Sequence, residues 1–221
     1  MQVTRRTRTE IRQSQTRVRL REVGHELFSE LGVDNTTIQQ ITDAADIGFG
    51  TFYNYYPTKE ALAEDVLDCL IHSIGRTNDL ITERLEEHDP VRIVANSVRT
   101  VIRTMVTNPV YAWWVQRFDV LVDRMRIGFA PFGLRDIDQA VAAGEYRLIA
   151  DDRLLAWSHL IWLTAAAARD ILSGEHPAST EQRATEAVLR VMGVDHAMAA
   201  AAVSTTLPDD INVVIDFSHD V

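Results

Sequence analysis

The sequence predicts an all-α protein, and three observations carry that class. Apolar residues recur at spacings of three and four along most of the chain, the period of one helix face. Prolines 57, 90, 109, 131 and 177 fall between the periodic stretches, where they cost a helix least. No convincing apolar–polar alternation precedes the tail, where "INVVIDF" (211–217) is β-prone but isolated, so its state stays open. A chain of 221 residues holds one large domain, or a small one welded to a larger one. A single cysteine, Cys69, cannot form an internal disulfide, and nothing argues for an oxidising compartment. The basic N-terminus has no apolar run behind it, so it is not a secretory signal. The most apolar run, Leu154 to Ala168, is interrupted by Ser158 and His159 and is too short to span a bilayer. It predicts a buried helix in a cytoplasmic protein with no membrane partner.

The elements follow in order. Residues 1–12 are expected to form a flexible basic arm. From Met1 to Arg21 there are seven arginines (5, 6, 8, 12, 17, 19, 21) against one acid, Glu10. Residues 61–221 carry the whole net charge of −10. A local electropositive footprint for nucleic acid and a merely solvated arm both fit this segregation. Leu20, Val23, Leu27, Phe28 and Leu31 form one stripe that ends at Gly32, a helix stop. Thr37 with Gln40 three positions on makes a capping box for a helix of about two turns lined by Ile38, Ile41 and Ala45. Asp46 tolerates the left-handed geometry of a turn, Ile47 plugs it, and Gly48 caps a second short helix reaching Tyr55 or Tyr56 before Pro57. Two short helices and a tight turn make a helix-turn-helix. Beyond it, Val91, Val94, Ala95, Val98, Val101, Ile102 and Met105 form a stripe closed by Asn108-Pro109. Tyr111, Trp114, Val115, Phe118, Leu121, Val122 and Met125 form the next. Ser179 with Gln182 predicts a capping box for a last helix carrying Ala184, Ala187, Val188 and Val191.

The crowd of rings in "GFGTFYNYYPTKEAL" (48–62) fits such a unit. Phe52 and Tyr56, four apart, share the buried side, while Thr51 and Tyr55 share another face flanked by Tyr53 and Asn54. Hydroxyls donate to phosphate oxygens, and threonine methyls meet thymine methyls. Gly50 lets the backbone approach a duplex, and Lys59 neutralises a phosphate. Together, "LFSELG" (27–32), "TTIQQI" (36–41), "GTFYNYY" (50–56) and "KEAL" (59–62) resemble the N-terminal signature of the tetracycline-repressor-like (TetR) family of bacterial transcriptional regulators. Three positions depart from that pattern: Asp46 stands where glycine is usual, Gly48 where a serine cap is frequent, and Gln39 where arginine is frequent.

The resemblance implies the remaining architecture. An N-terminal three-helix DNA-binding head at 13–57 is joined by a linker helix, about Thr58–Glu87, to a larger helical effector-binding and dimerisation domain at 58–203. A tail of uncertain structure occupies 204–221. Helices at about Asp152–Leu172 and Thr180–Ala201 pair across a homodimer. The implied partner is double-stranded, pseudo-palindromic operator DNA, contacted by Thr36, Thr37, Gln39, Phe49, Gly50, Thr51, Tyr53, Asn54, Tyr55 and Lys59. The implied function is a repressor released by a small-molecule effector; a constitutive regulator or an activator is the alternative.

The sequence says less about the effector. Trp113, Trp114, Trp157 and Trp162 lie in the larger domain, with Phe118, Phe129 and Phe132 nearby in sequence. Core packing is the plainer account of these rings. A cavity for an apolar or aromatic effector is the sharper one, with Trp114, Phe118, Trp157 and Trp162 as its wall and His159 as a polar contact. Enzyme readings fail on context. "GFG" at 48–50 lacks the third glycine and preceding strand of a dinucleotide fingerprint. The histidines show no pair at metal-ligand spacing, so no metal or cofactor is expected. Asp151-Asp152 reads as a helix cap and Asp209-Asp210 as a solvated turn. Cys69 reads as a small buried hydrophobe. A nucleoid-type architectural binder would be basic overall, and residues 61–221 are acidic.

Overall fold

The computed structural model describes residues 7–83, 89–204, 207 and 213–219, with the backbone alone at Ala150. All regular structure among them is helical. Arg5, Arg6, the last expected linker positions 84–87, the Asp209-Asp210 pair and residues 211–212 of the β-prone segment lie outside the described residues. The chain divides into two compact units, Met1–Leu70 with Asp216–Val221, and Ile71–Ile215.

The first unit holds α1 (Arg8–Leu31), α2 (Ile38–Ala44), α3 (Phe49–Phe52) and the start of α4 (Lys59–Glu83). The basic N-terminus is helical sooner than expected. Thr7 accepts from the Glu10 amide while the Glu10 carboxylate accepts from the Thr7 amide, so a capping box starts α1 inside the supposed flexible arm. Leu20, Val23 and Phe28 are buried as the stripe predicts, but Leu31 is 40% exposed. Arg21 departs most from expectation: counted among the surface cations, it is 1% exposed. Its Nε and Nη2 donate to the two oxygens of Asp65 on α4, each at 2.8 Å. Nη1 donates to the carbonyls of Phe217 and His219 at 2.9 and 2.8 Å. The Phe217 ring lies 5.5 Å from that of His25. The end of the tail is therefore built into the first unit. Tyr56 also donates to Asp65, and burial pushes the Cys69 thiol up to about 12, the inert behaviour of a packed hydrophobe.

The second unit is organised around α5 (Pro90–Thr107). Asp89 caps it by accepting from the Val91 and Arg92 amides, and Pro90 occupies the first turn, where its missing N–H costs nothing. The residues after α5 form α6 (Val110–Trp114), a 3₁₀ turn (Val115–Arg117), α7 (Phe118–Gly128), α8 (Ala130–Ala142), α9 (Arg153–Leu172), α10 (Thr180–Val191) and α11 (His196–Ser204). Helix α5 packs on α6, α8, α9, α10 and α11.

Three expectations need correction. The stripe from Tyr111 to Met125 is not one helix. At Arg117 the backbone leaves the helical region (φ −117°, ψ 54°), with the guanidinium stacked 3.5 Å above the Trp113 ring. Ser179 caps nothing through its side chain: its own backbone is already helical (φ −62°, ψ −9°), and the first turn closes onto the carbonyls of Pro177 and Ala178. The last long helix is broken at Gly193 (φ 80°), where an added Cβ would stand 2.2 Å from the Arg147 carbonyl oxygen. Asp195 then starts α11 by accepting from the Ala197 amide. Asp152 caps α9 as expected, accepting from the Leu155 amide at 2.9 Å.

The residue beside the failed cap has the larger role. Glu181 is 6% exposed and accepts from Arg99 Nε at 3.0 Å and from Arg103 Nε at 2.6 Å. Arg99 is 1% exposed, so the carboxylate locks α10 to α5 by neutralising a buried cation. Glu181→Ala should cost about 3–5 kcal/mol, because it removes the carboxylate that faces that buried guanidinium. Replacing the pair together by Arg99→Met and Glu181→Leu should restore most of the loss. Urea unfolding of the single and double variants checks both statements.

Candidate nucleic-acid interface and ligand cavity

The helix-turn-helix forms from local signals. Thr37 accepts from the Gln40 amide, and Gln40 Oε1 accepts from the Thr37 amide at 2.8 Å. Asp46 takes positive φ (54°) and so turns the chain without glycine. The Ile47 amide reaches back to the Thr42 carbonyl, and Arg19 donates to the Ala44 carbonyl at 3.2 Å, fastening the end of α2 to α1. Gly48 stands at the N-cap of α3.

Helix α3 is shorter than the sequence predicts. It ends at Phe52, and Tyr53 to Tyr55 form a turn in which the Asn54 and Tyr55 amides bond three residues back. Pro57 disfavours helical geometry at Tyr56, which tightens this last turn. Phe52 and Tyr56 are buried as expected. Thr37, Gln39, Gly50 and Asn54 are exposed, and Thr51 and Tyr55 are half-buried. Phe49 and Tyr53 are 47% and 50% exposed, with ring centroids 5.7 Å apart edge to face. Gln39 donates to Asp43 at 2.6 Å. Nothing stands within 4 Å of a Cβ built at Gly50.

Two of the expected contact residues have work inside the unit. Thr36 is 1% exposed, and its hydroxyl lies 2.8 Å from the Gly32 carbonyl and 3.4 Å from that of Leu27. It ties the α1–α2 loop rather than facing solvent. Lys59 Nζ donates to the carbonyls of Thr36 (2.6 Å) and Asp34 (3.2 Å), holding that loop to the start of α4.

In the second unit a partly open cavity of about 50 Å³ is lined by Met125 of α7 and by four further helices. Each contributes one helical face. Gly75, Asn78 and Asp79 come from α4, and Val94, Ser97, Val98 and Val101 from α5. Phe129, Phe132, Gly133 and Asp136 come from α8 and the residue before it, and Trp157, Leu160, Ile161 and Thr164 from α9. Glycine is required at two of these positions: a Cβ at Gly75 would stand 2.4 Å from the Phe132 ring, and one at Gly133 2.2 Å from the Trp157 ring. At 10–15 Å³ per water, the space holds roughly four waters, whose share of liquid is about 120 Å³. That is the scale of a single small ring.

The polar part of the wall is concentrated. Arg135 Nη2 donates to Asp79 Oδ1 and Asp136 Oδ1, both at 2.7 Å, and so joins α4 to α8. Burial pushes the Asp136 carboxyl above its ordinary range against the pull of Arg135. Of the five residues expected at an effector site, the structure brings Trp157 to this cavity, with its indole N–H donating to the Arg126 carbonyl at 3.1 Å. Trp114 is buried in the core, and His159 is half-buried and off the cavity wall. Trp162 is 49% exposed and packs edge-on against Phe118 outside the cavity. Asn78, Asp79 and Asp136 were missed because a polar residue facing a small cavity and one facing water look alike in sequence. The i, i+3, i+4, i+7 set Phe129, Phe132, Gly133, Asp136 was the signal available for α8.

Comparison with known proteins finds family models that match most of the chain. Residues 20–66 match the family described as "Bacterial regulatory proteins, tetR family", and residues 89–205 match "Tetracyclin repressor-like, C-terminal domain". The chain is 35% identical over 100 residues to the HTH-type transcriptional repressor DhaR of Mycobacterium sp. (strain GP1), covering 44% of this chain and 46% of that one. It is 28% identical over 71 residues to the repressor KstR2 of Rhodococcus jostii (strain RHA1), covering 32% and 35%. The chain thus spans less than half the length of these curated relatives. The crystal structure of RolR with resorcinol superposes with a TM-score of 0.79 at 30% identity, covering 90% of this chain and 98% of that one.

Thr36→Val should lower the stability of the first unit by about 1–2 kcal/mol, since it removes a buried hydroxyl from two carbonyls. Base preference should be unchanged, as measured by gel shifts on point-mutated sites. A changed preference with unchanged stability would put Thr36 on the DNA after all.

Proposed function

Because this chain belongs to the tetracycline-repressor-like (TetR) family, we propose that it is a dimeric transcriptional repressor released from a pseudo-palindromic operator by a small hydroxylated aromatic compound. The observation that carries the effector class is the one-ring cavity with its buried carboxylate. Asp136 Oδ1 is engaged by Arg135, while Oδ2 has no hydrogen bond among the described residues and is free to accept from a ligand hydroxyl. The likeness to RolR, solved with resorcinol, supports the same class. The cavity has a binding role in this proposal, and no reaction is assigned to it.

At the DNA, the exposed surface of the α3 segment enters the major groove. Phe49, Thr51, Tyr53 and Asn54 reach the duplex, Gly50 permits close approach, and Thr37, Gln39 and Tyr55 contact the flanks. Lys59 offers its remaining N–H to a phosphate while it holds the loop carbonyls. Dimerisation is supported by α9, which leaves Leu155 and Trp162, two turns apart on one face, 40% and 49% exposed. With α10 this face pairs with a second copy, setting two heads to half-sites about 34–36 Å apart or a multiple of that distance. No helix among the described residues is long and apolar enough to cross a membrane, and the repressor acts in the cytoplasm.

An operator selected from random duplexes allows two tests. Asn54→Ala should reduce discrimination between that operator and its point variants by about 1–3 kcal/mol, in contrast to the uniform weakening from loss of a phosphate contact. Operator and effector must weaken each other by one common factor, corresponding to about 1–3 kcal/mol. Resorcinol titrations followed by tryptophan fluorescence, with and without saturating operator, measure that factor. Equal dissociation constants would make the protein a constitutive DNA binder.

A further inference from the structure

We propose that Asn78 reads a second hydroxyl on the bound ring and fastens that ring to α4, an inference that rests on the effector class proposed above. Asn78 is 9% exposed and lines the cavity. Its amide carries two N–H donors and a carbonyl acceptor. None of these has a hydrogen-bond partner among the described residues. With no protein partner, this amide must be met by water or by a polar ligand, on a wall otherwise lined by Val98, Val101, Leu160 and Ile161.

The other polar groups of the wall are differently placed. Thr164 is 2% exposed and donates to the Leu160 carbonyl at 2.7 Å, so its proton is engaged within α9. Asp79 is held by Arg135. Ser97 is half-buried and can turn its hydroxyl onto a carbonyl of its own helix. Asn78 cannot satisfy both faces of its amide in that way. The cavity therefore offers two polar anchors on two different helices, Asp136 on α8 and Asn78 on α4. A ring with one hydroxyl engages one of them and leaves the other unpaired, whereas a ring with two engages both. A site built to hydrogen-bond a hydroxyl rejects the analogue that lacks it more strongly than an apolar pocket rejects a missing methylene. The Asn78 bond also falls on the helix that begins at Lys59, so the second hydroxyl bears on DNA release as well as affinity.

The test is calorimetric titration of the full chain with resorcinol and with phenol, for the wild type, Asn78→Leu and Asn78→Ala, with melting curves on all three. The wild type should prefer resorcinol by about tenfold or more, and both variants should lose most of that preference. The melting curves should show both variants folded. A preference for resorcinol that survives in both folded variants, or an equal fall for both ligands, would overturn the role of Asn78. Failure of either ring to bind the wild type would instead remove the effector class, and the Asn78 role with it.

Discussion

The guanidinium of Arg21 is closed off from water, and the shape of the DNA-binding unit depends on how its charge is met. Asp65 supplies the counter-charge through two parallel bonds from the guanidinium, the geometry in which arginine pairs best with a carboxylate. The same carboxylate accepts from Tyr56, the last ring of the helix-turn-helix segment, so one acid fixes α1, α4 and the end of the α3 turn. The remaining N–H groups hold two tail carbonyls. Losing Asp65 would remove the counter-charge that faces this buried guanidinium through two bonds, so α1 and α4 are energetically tied at this point.

The second unit solves the same problem with Glu181, which faces two arginines of α5. Its placement has a functional side. With α5 fixed to α10, the cavity wall from α5 is held still, whereas the α4 and α8 walls are joined through the surface pair Arg135–Asp79. Arg135 is 44% exposed, so this bond lies partly in water and is the weaker of the two links.

Much of this was legible in residue order, where the signal was local. The Thr37–Gln40 box, the left-handed Asp46 and the buried pair Phe52 and Tyr56 each follow from neighbours within four positions. The class and the helix-turn-helix followed from them. The errors concern partners far apart in sequence. Thr36 and Thr37 are adjacent hydroxyls, and nothing local tells that one bonds a carbonyl nine residues back in α1 while the other stays exposed. Arg21 looked like six other arginines because Asp65 is 44 residues away. Counting aromatic rings picked out Trp162 and Phe118, which stack on each other outside the cavity, since ring identity does not give direction. Pro131 stands in the first turn of α8, where proline belongs, so a proline there marks a helix start rather than a gap between helices. Gly193 followed by Asp195 is a stop and a start, yet the stripe was carried through it.

The tail contact has a consequence for the order of events on the ribosome. Arg21 and Phe217 are 196 residues apart, so at about 5–20 residues per second the carbonyl arrives roughly 10–40 seconds after the guanidinium that needs it. Asp65, 44 residues on, arrives within about 2–9 seconds. The nascent DNA-binding unit thus gains its ion pair early and waits for its seal until synthesis is nearly finished. A messenger cut short, or a ribosome stalled within the second unit, releases a chain whose Arg21 is neutralised but still open to water on the tail side. Its first unit lacks the two carbonyls that the tail of the finished protein supplies to Arg21.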